Sequence, residues 1–330
     1  MKALLALVVL VLFPLAAAAW DRGQVERFAT LPAGAANPEG ITVDRHGDVY
    51  VTTFAVTGAP PGKVYVFDSH GGRLKRELTL AGASNLLLGI AFHPRTHELL
   101  VIDFGNKTVL RVDPFSGVAT PFAVIPGGAA AGPNALAFDR AGNVYISDSF
   151  QATIWRTGPA GGAPVAWISH PLLATAGVPP FGANGMDFNR DETSLFVANT
   201  GDDRIIRVPV TAGAPGTPVP FTNSVNGADG LFVDENDNLW ICANQADEIV
   251  VVNKDGKAIA KLGDFDGLRR GAPEGLLFPA SLVRHDGWIY VTNLALDLRL
   301  FGHNTVDAEW AARVTQHTIA RIRARIPKQD

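Results

Sequence analysis

Short apolar segments alternate with polar turns along most of the chain, and this alternation repeats six times. Each repeat has a small turn residue, a short apolar segment, a turn with Asp, Asn or Gly, and a second apolar segment ending in a polar residue. Successive repeats lie 45–51 residues apart. Repeats of this length made only of short strands are typical of β-propeller blades, so the pattern predicts an all-β fold, a six-bladed β-propeller. The equivalent residues, called rim positions below, are Glu39, Leu88, Asn134, Asn184, Asp229 and Ala280.

Four strands are predicted in each blade. The second strand follows a turn with the Gly and Asx residues that tight hairpins require. The third alternates apolar and polar residues, as at 63–67 and 204–208. The fourth is more polar, as an outer edge strand should be. The second strands are predicted at 49–52, 99–102, 144–147, 195–198, 239–242 and 288–291.

The sixth repeat departs from this pattern. Its third strand is predicted at 318–323, so residues from about 297 to 316 form an insertion with a short helix at about 308–314. We expect the insertion to act as a lid that shapes specificity. No fourth strand remains, and residues 26–30 are predicted to supply it. Pairing of this N-terminal strand with the last blade would close the ring and remove its free edge.

The first residues predict export. A positive charge at Lys2, an apolar run over 3–15 and four alanines at 16–19 indicate a secretory signal, because the run is too short to span a bilayer. The predicted domains are therefore a signal peptide, 1–19, and a single propeller domain, 20–330. No later apolar segment is long enough for a membrane span, so the protein is expected to be secreted or periplasmic.

Charge and cysteine content exclude other classes. The chain has 28 Lys and Arg against 32 Asp and Glu, a net charge of −4, and no basic run, so it offers no electrostatic footprint for nucleic acid. The single cysteine, Cys242, cannot form an internal disulfide. We therefore expect stability from a large core or a bound ion.

Four of the six rim positions carry side-chain oxygens. The first strand of every propeller blade lines the central channel, so the rim residues should gather at one end of it. Carboxylate and amide oxygens are the ligands that calcium prefers, and four protein ligands leave room for water or substrate. Any one of these residues could instead make a local Asx turn, but four oxygen-bearing side chains at the same position of separate repeats favour a metal site. Magnesium and manganese stay open alternatives, while an all-oxygen set argues against zinc. The predicted metal ligands are Glu39, Asn134, Asn184 and Asp229.

The same residues carry a resemblance to a known family. The motifs are Glu39-Gly40, Asn134, Asn184-Gly185 and Asp229-Gly230. With them the chain resembles the SMP-30/gluconolactonase/LRE-like family, six-bladed calcium propellers that hydrolyse lactones or organophosphates. Glu39, Asn184 and Asp229 match that family's calcium ligands. Asn134 matches a position that binds metal in some members and substrate in others.

The resemblance implies a mechanism. Calcium would polarise a lactone or ester carbonyl while water attacks it. Asp229 would act as general base or, toward a phosphotriester, as nucleophile. Asn134 and Asn184 would orient the substrate oxygen, so Asp229 and Asn134 are the predicted catalytic residues. Members that act on sugar-acid lactones carry an arginine two residues before the equivalent of Asn134, where this chain has Gly132. We therefore expect a substrate other than gluconolactone.

Apolar residues near the rim suggest the substrate's character. They indicate a small-molecule partner, an apolar lactone or ester; the oligomeric state is left open. These residues are Leu86, Leu87, Leu88, Phe181, Leu276 and Phe278. Two other kinds of function remain possible: a non-catalytic NHL-like propeller that binds a ligand or protein, and a strictosidine-synthase-like or isomerase-like propeller without metal hydrolysis. A further set of polar residues is predicted to lie at the same position of five repeats, at the end of the second strand. They are expected to cap strands, tie neighbouring blades together or orient the ligands. These residues are Asp103, Asp148, Asn199, Asn244 and Asn293.

Overall fold

The structure is a computed structural model that describes residues 21–327. Six antiparallel sheets form the blades of a six-bladed β-propeller, which confirms the predicted fold. The predicted signal peptide, 1–19, lies outside the described residues and stays a prediction. In the described part of the chain, no helix is long and apolar enough to cross a membrane.

The strands follow the repeats in chain order. Ahead of the first blade is β1 (Val25–Thr30). Blades one to three are β2 (Asn37–Val43), β3 (Val49–Phe54), β4 (Lys63–Phe67), β5 (Leu74–Thr79); β6 (Leu87–Phe92), β7 (Leu99–Asp103), β8 (Thr108–Val112), β9 (Ala119–Val124); and β10 (Pro133–Phe138), β11 (Val144–Asp148), β12 (Thr153–Thr157), β13 (Val165–Ser169). Blades four and five are β14 (Ala183–Phe188), β15 (Ser194–Asn199), β16 (Arg204–Thr211), β17 (Ala214–Pro215), β18 (Val219–Asn223); and β19 (Ala228–Val233), β20 (Leu239–Ala243), β21 (Glu248–Val252), β22 (Ala258–Leu262). A hairpin of β23 (Phe265–Arg269) and β24 (Ala272–Gly275) precedes blade six, which is β25 (Pro279–His285), β26 (Trp288–Asn293) and β27 (Thr318–Arg323). Within residues 21–327 the helices are α1 (Val306–Ala311) and four 3-10 turns, Gly128–Ala130, Pro171–Leu173, Asn244–Ala246 and Leu298–Phe301.

The N-terminal strand closes the ring as predicted. Strand β1 pairs antiparallel with β27, so the last blade has the order β1-β27-β26-β25. Within this pairing the guanidinium of Arg321 donates to Glu26 Oε2 from both Nε and Nη2, at 3.0 and 2.7 Å. Both ends of the described chain are thereby held in one sheet.

The core lies between neighbouring blades. Second strands such as β3, β7 and β20 are buried at every residue, because each is covered on both faces by adjacent blades. This explains why the second strands are continuous apolar runs rather than alternating ones. The outer strand β5 is largely exposed, which accounts for its polar composition.

Every first strand contains a β-bulge at the rim position. The ladder with the second strand shifts register between Pro38 and Ile41 in blade one, and at the equivalent place in the other five blades. The rim residues therefore lie inside the first strands, not just before them as the sequence suggested. A bulge turns a side chain out of the regular pleat, and here it directs one side chain per blade to the channel.

Close packing of the backbone fixes these bulges. A Cβ added to the residue after the rim would lie less than 3 Å from the carbonyl oxygen of the next rim residue. Blades one, two, four and five have glycine there for this reason: Gly40, Gly89, Gly185 and Gly230.

The segment between β26 and β27 holds the 3-10 turn Leu298–Phe301 and helix α1. The helix begins at Val306, before the predicted start at 308, because the Thr305 hydroxyl accepts from the backbone N–H of Ala308 and caps it. Trp310 packs on Phe265 of the β23–β24 hairpin, with ring centroids 5.4 Å apart. The sequence reading did not predict this hairpin.

Candidate functional site

The four predicted ligands meet at one cavity. It has a volume of about 40 Å³ and is lined by Glu39, Asn134, Asn184 and Asp229, together with the apolar rim residue Leu88. All four polar residues are only 4–6% exposed. Residues that are far apart in sequence are thus brought together by the ring, because each bulge points its side chain to the same end of the channel.

Hydrogen bonds from the same blade hold three of these side chains. Asn134 Nδ2 donates to Ser149 Oγ at 3.1 Å, and Asn184 Nδ2 donates to Thr200 Oγ1 at 2.9 Å. Each amide thereby uses its N–H₂ group on a hydroxyl, which leaves its carbonyl oxygen for another contact. In blade five the direction is reversed, because a carboxylate can only accept.

Asp229 receives its hydrogen bond from Asn244, whose Nδ2 lies 3.0 Å from Asp229 Oδ2. The other oxygen, Asp229 Oδ1, is buried and has no hydrogen-bond partner among the described residues. Glu39 Oε2 is buried without a partner in that same part of the chain. A buried carboxylate oxygen without a hydrogen bond is costly unless a proton or a cation neutralises it.

The pKa values of the two carboxyl groups also indicate that the site needs a compensating positive charge. Burial raises the pKa of Glu39 well above its ordinary value, and the charge of Asp229 raises it further. Burial also raises the pKa of Asp229, against the hydrogen bond from Asn244 that lowers it. Two acidic groups in one small cavity cannot both ionise without compensation.

The residues present fit a divalent cation. Two carboxylates can balance its charge, two amides add neutral oxygens, and the cavity has room for an ion. Among residues 21–327, no three His, Cys, Asp or Glu side chains gather as a metal cluster. The two amides are therefore essential to this ligand set, which suits a hard cation rather than zinc.

Three partners of the site were missed or misplaced by the sequence reading: Ser149, Thr200 and Asn244. Asn244 was predicted to be equivalent in position to Asp148 and Asn199, and this prediction is wrong. Ala243 pairs with Ala228 as Asp148 pairs with Pro133, so Asn244 is equivalent to Ser149 and Thr200. The sequence did contain a signal for them. In blades three to five, a polar residue directly follows the strand-end residue that pairs with the first strand.

The correctly placed strand-end residues bond to the loops before the first strands. Asp148 Oδ1 accepts from the Gly132 N–H at 2.9 Å, and Asn293 Oδ1 accepts from the Leu277 N–H at 3.0 Å. Asn199 Nδ2 donates to the Ala174 carbonyl at 2.7 Å. They hold the loops around the cavity and do not line it.

The apolar neighbours divide into two groups. Leu88, Phe181 and Phe278 line the cavity as expected. Leu86 does not line it, while Leu87 and Leu276 pack into the cores between blades. Further apolar lining comes from residues that the sequence reading did not select: Phe54, Pro179, Leu294 and Leu296.

Comparison with known proteins agrees with the family resemblance and with the fold. Residues 106–263 match the family model of the SMP-30/Gluconolactonase/LRE-like region, which confirms the resemblance. Lactonase drp35 of Staphylococcus haemolyticus is 28% identical over 173 residues, 49% of this chain and 48% of that protein. The chain spans less than half of the length of the curated relatives it matches.

Two solved structures show the same fold. A calcium-binding protein, regucalcin, from Agrobacterium tumefaciens superposes with a TM-score of 0.65 and 17% identity over 91% of this chain and 96% of that one. A gluconolactonase from Xanthomonas campestris gives a TM-score of 0.64 and 15% identity over 92% and 90% of the two chains.

Proposed function

Because residues 106–263 carry an SMP-30/gluconolactonase/LRE-like region, we propose that the protein hydrolyses small-molecule lactones or related esters with the help of a bound divalent cation, calcium in the first place. One observation carries the proposal: Glu39 Oε2 and Asp229 Oδ1 lie buried at one cavity without partners among the described residues. Proteins leave such oxygens unpaired mainly where a function uses them.

The cation would be held by the carboxylates of Glu39 and Asp229 and the amide oxygens of Asn134 and Asn184. When bound, calcium would supply Lewis-acid polarisation of a carbonyl oxygen. Ser149, Thr200 and Asn244 would keep the ligand side chains oriented through their hydrogen bonds. Such orientation lowers the entropy lost on binding, so these partners should matter for affinity.

Asp229 would also accept the proton from water. Water adds to the lactone carbonyl carbon as its proton passes to the Asp229 carboxylate, and the bond between the carbonyl carbon and the ring oxygen then breaks. Asp229 then returns this proton to the ring oxygen, which leaves as an alcohol, so the carboxylate is regenerated and the product is a hydroxy acid. Asn134 would orient the substrate oxygen, with its own position fixed by Ser149.

Hydrolysis of a substrate panel tests the proposal. Lactones, an aryl ester and a phosphotriester would be assayed with calcium and with a chelator, using wild type, Asp229→Asn and, as control, Asp113→Asn in an exposed turn. We expect turnover that is lost with chelator and in Asp229→Asn and kept in Asp113→Asn. Calcium binding without any turnover would instead favour an NHL-like binding propeller, and chelator-resistant turnover would contradict the role of the metal.

Export is a separate part of the proposal. Its support is the sequence of residues 1–19, with Lys2, the apolar run and the alanines. Mass spectrometry of the N-terminus after expression in a bacterium with a periplasm tests it: a mature chain that begins near Trp20 in the periplasm or medium is expected. An intact Met1 in the cytoplasm would contradict export.

A further inference from the structure

Polar and apolar residues occupy opposite halves of the site. In each blade, the residue before the rim residue pairs with a residue of the second strand, and the next residue along the chain belongs to a second ring around the channel. The six members of this second ring are Phe54, Phe104, Ser149, Thr200, Asn244 and Leu294. Its polar members lie on the consecutive blades three, four and five. Its apolar members lie on blades six, one and two. The rim repeats this division, except for Glu39 on blade one.

The two halves differ in how firmly they are held. On blades three to five each rim side chain is hydrogen-bonded to the second-ring residue of its own blade. On the apolar side Phe54, Leu88 and Leu294 are held by packing alone, in one core cluster. Apolar side chains can change rotamer without breaking a hydrogen bond, so this side can open more easily for a ligand larger than the cavity.

A series of aromatic rings leads from the apolar half to the surface. Phe54 packs on Phe104 with ring centroids 6.2 Å apart, and Phe104 packs on Phe150 at 5.6 Å. Phe181, which lines the cavity, contacts Phe150 at 5.5 Å. Phe54 is 5% exposed and Phe150 is 48% exposed, so these packed rings extend from the cavity to the protein surface.

We propose that the site takes amphipathic substrates, with the reacting carbonyl over blades three to five and a hydrocarbon substituent along Phe54, Phe104, Phe181 and Phe150. This inference rests on the proposed function and adds a substrate class to it: alkyl- or aryl-substituted lactones and esters rather than polyhydroxylated ones. Hydroxyl groups on the apolar side would lose water without gaining a hydrogen bond, because the apolar second-ring residues offer them no polar side chain.

The test is a series of δ-lactones with unbranched side chains of zero, two, four and six carbons, with glucono-δ-lactone for comparison. Wild type, Phe181→Ser and Phe150→Ser would be compared with Phe115→Ser, which removes an exposed phenylalanine distant from the site. Two test variants are used because Phe181 is half-buried, whereas Phe150 is exposed enough to be replaced without loss of the fold.

In wild type and Phe115→Ser, we expect kcat/KM to rise by up to about 4-fold per buried methylene. In Phe181→Ser and Phe150→Ser, the rise in kcat/KM from the unsubstituted to the longest-chain lactone should be at least 10-fold smaller than in wild type. A flat series in wild type, a preference for glucono-δ-lactone, or unchanged series in both variants would overturn the inference.

Binding separates this inference from the proposed function. The lactams of the same chain lengths, which resist hydrolysis, would be titrated into the calcium-loaded protein by calorimetry. If no lactone is hydrolysed, the proposed function fails, but lactam affinity that rises with chain length and falls in Phe181→Ser still supports the amphipathic site. Lactam affinity independent of chain length overturns it.

Discussion

The hydroxyl of Thr292 donates a 2.6 Å hydrogen bond to the backbone carbonyl of Glu39, 253 residues earlier in the chain. On the other side of the same peptide group, the N–H of Gly40 donates to Thr52 Oγ1 at 2.8 Å. The peptide between Glu39 and Gly40 is therefore held by blade six and by blade one together. Because these blades meet where the ring closes, the junction of the first and last blades helps to position a candidate metal ligand.

Replacing Thr292 by valine should weaken cation binding. The change keeps the shape of the side chain and removes the hydrogen bond to Glu39, so the carboxylate loses part of its orientation. We expect calcium affinity to fall by about 10-fold, measured by calorimetry, with a cooperative unfolding transition preserved. Thr153→Val, another buried threonine away from the rim, is the control and should bind calcium as wild type does. Equal affinities in the two variants would show that the contact does not position Glu39.

Glu39→Gln should stabilise the metal-free protein and abolish its response to calcium. Burial and the charge of Asp229 raise the pKa of Glu39, so ionisation of both groups at neutral pH costs folding free energy. Glutamine removes that charge and leaves a neutral amide oxygen where the cation needs a carboxylate to balance its own charge. We expect a higher Tm than wild type in chelator. Calcium at 100 times Kd, which should stabilise wild type by ~2.7 kcal/mol, should have almost no effect on the variant. A full calcium-induced shift in Glu39→Gln would remove this residue from the ligand set.

Gly185→Ala should distort the rim. Its added Cβ would meet the carbonyl oxygen of Asp229, the Cα of Gly230 and the N of Leu231, all backbone atoms that cannot rotate away. We expect a loss of about 1–3 kcal/mol in unfolding free energy and weaker calcium binding. The matched control is Gly158→Ala, where a Cβ meets no atom within 4 Å. Chemical denaturation of both variants measures the difference, and equal stabilities would contradict the close approach.

Asp247→Asn should reduce the pH dependence of stability. Burial raises the pKa of Asp247 to about 8, helped by the charge of nearby Asp307, against a hydrogen bond from the Phe278 N–H that lowers it. For an acid whose pKa is raised on folding, the stabilising contribution is complete below the unfolded pKa near 4 and is lost as pH rises through the folded value. Wild-type stability should therefore decline between about pH 4 and pH 8.

Asparagine stays neutral, can still accept from Phe278, and tolerates the left-handed backbone at φ 52°. We expect Asp247→Asn to be more stable than wild type by on the order of 1–3 kcal/mol at pH 8.5 and similar to it at pH 4. Asp286→Asn makes the same replacement at an exposed residue with φ 47° and serves as control. Thermal melts across this pH range decide the matter, and parallel curves for all three proteins would refute the prediction.

Strands whose pattern is local could be predicted from the sequence. The bounds of β4 and β27 were obtained in full, because each has alternating residues between clear turns. Strand β16 was predicted to end at 208 and runs to Thr211, since Val210 pairs with Pro215 in a small added hairpin. The β23–β24 hairpin was missed, because glycine and proline interrupt its short alternation and its packing on Trp310 is a tertiary contact.

Register was harder to obtain than strand position. Asn199 and Asn244 both come 15 residues after their rim residues, which suggested equivalence. Between the last paired residues of the first two strands, the connection is one residue longer in blade four (Phe188 to Leu195) than in blade five (Val233 to Leu239). Equal counts along the sequence therefore lead to different positions in the ladder. Only the pairing of Ala183 with Asn199 and of Ala228 with Ala243 shows which polar residue faces the cavity.

The bulges also bear on how such a protein can change over generations. At every rim position the side chain stands outside the ladder of hydrogen bonds, so its identity is not constrained by strand pairing. Leu88 and Ala280 occupy the same kind of position as Glu39 and Asp229 without a side-chain oxygen. A single codon change at either place could add a ligand, and one at Glu39 could remove one, while the ring is inherited intact. Descendants of such a protein can therefore keep the fold while they gain or lose the activity.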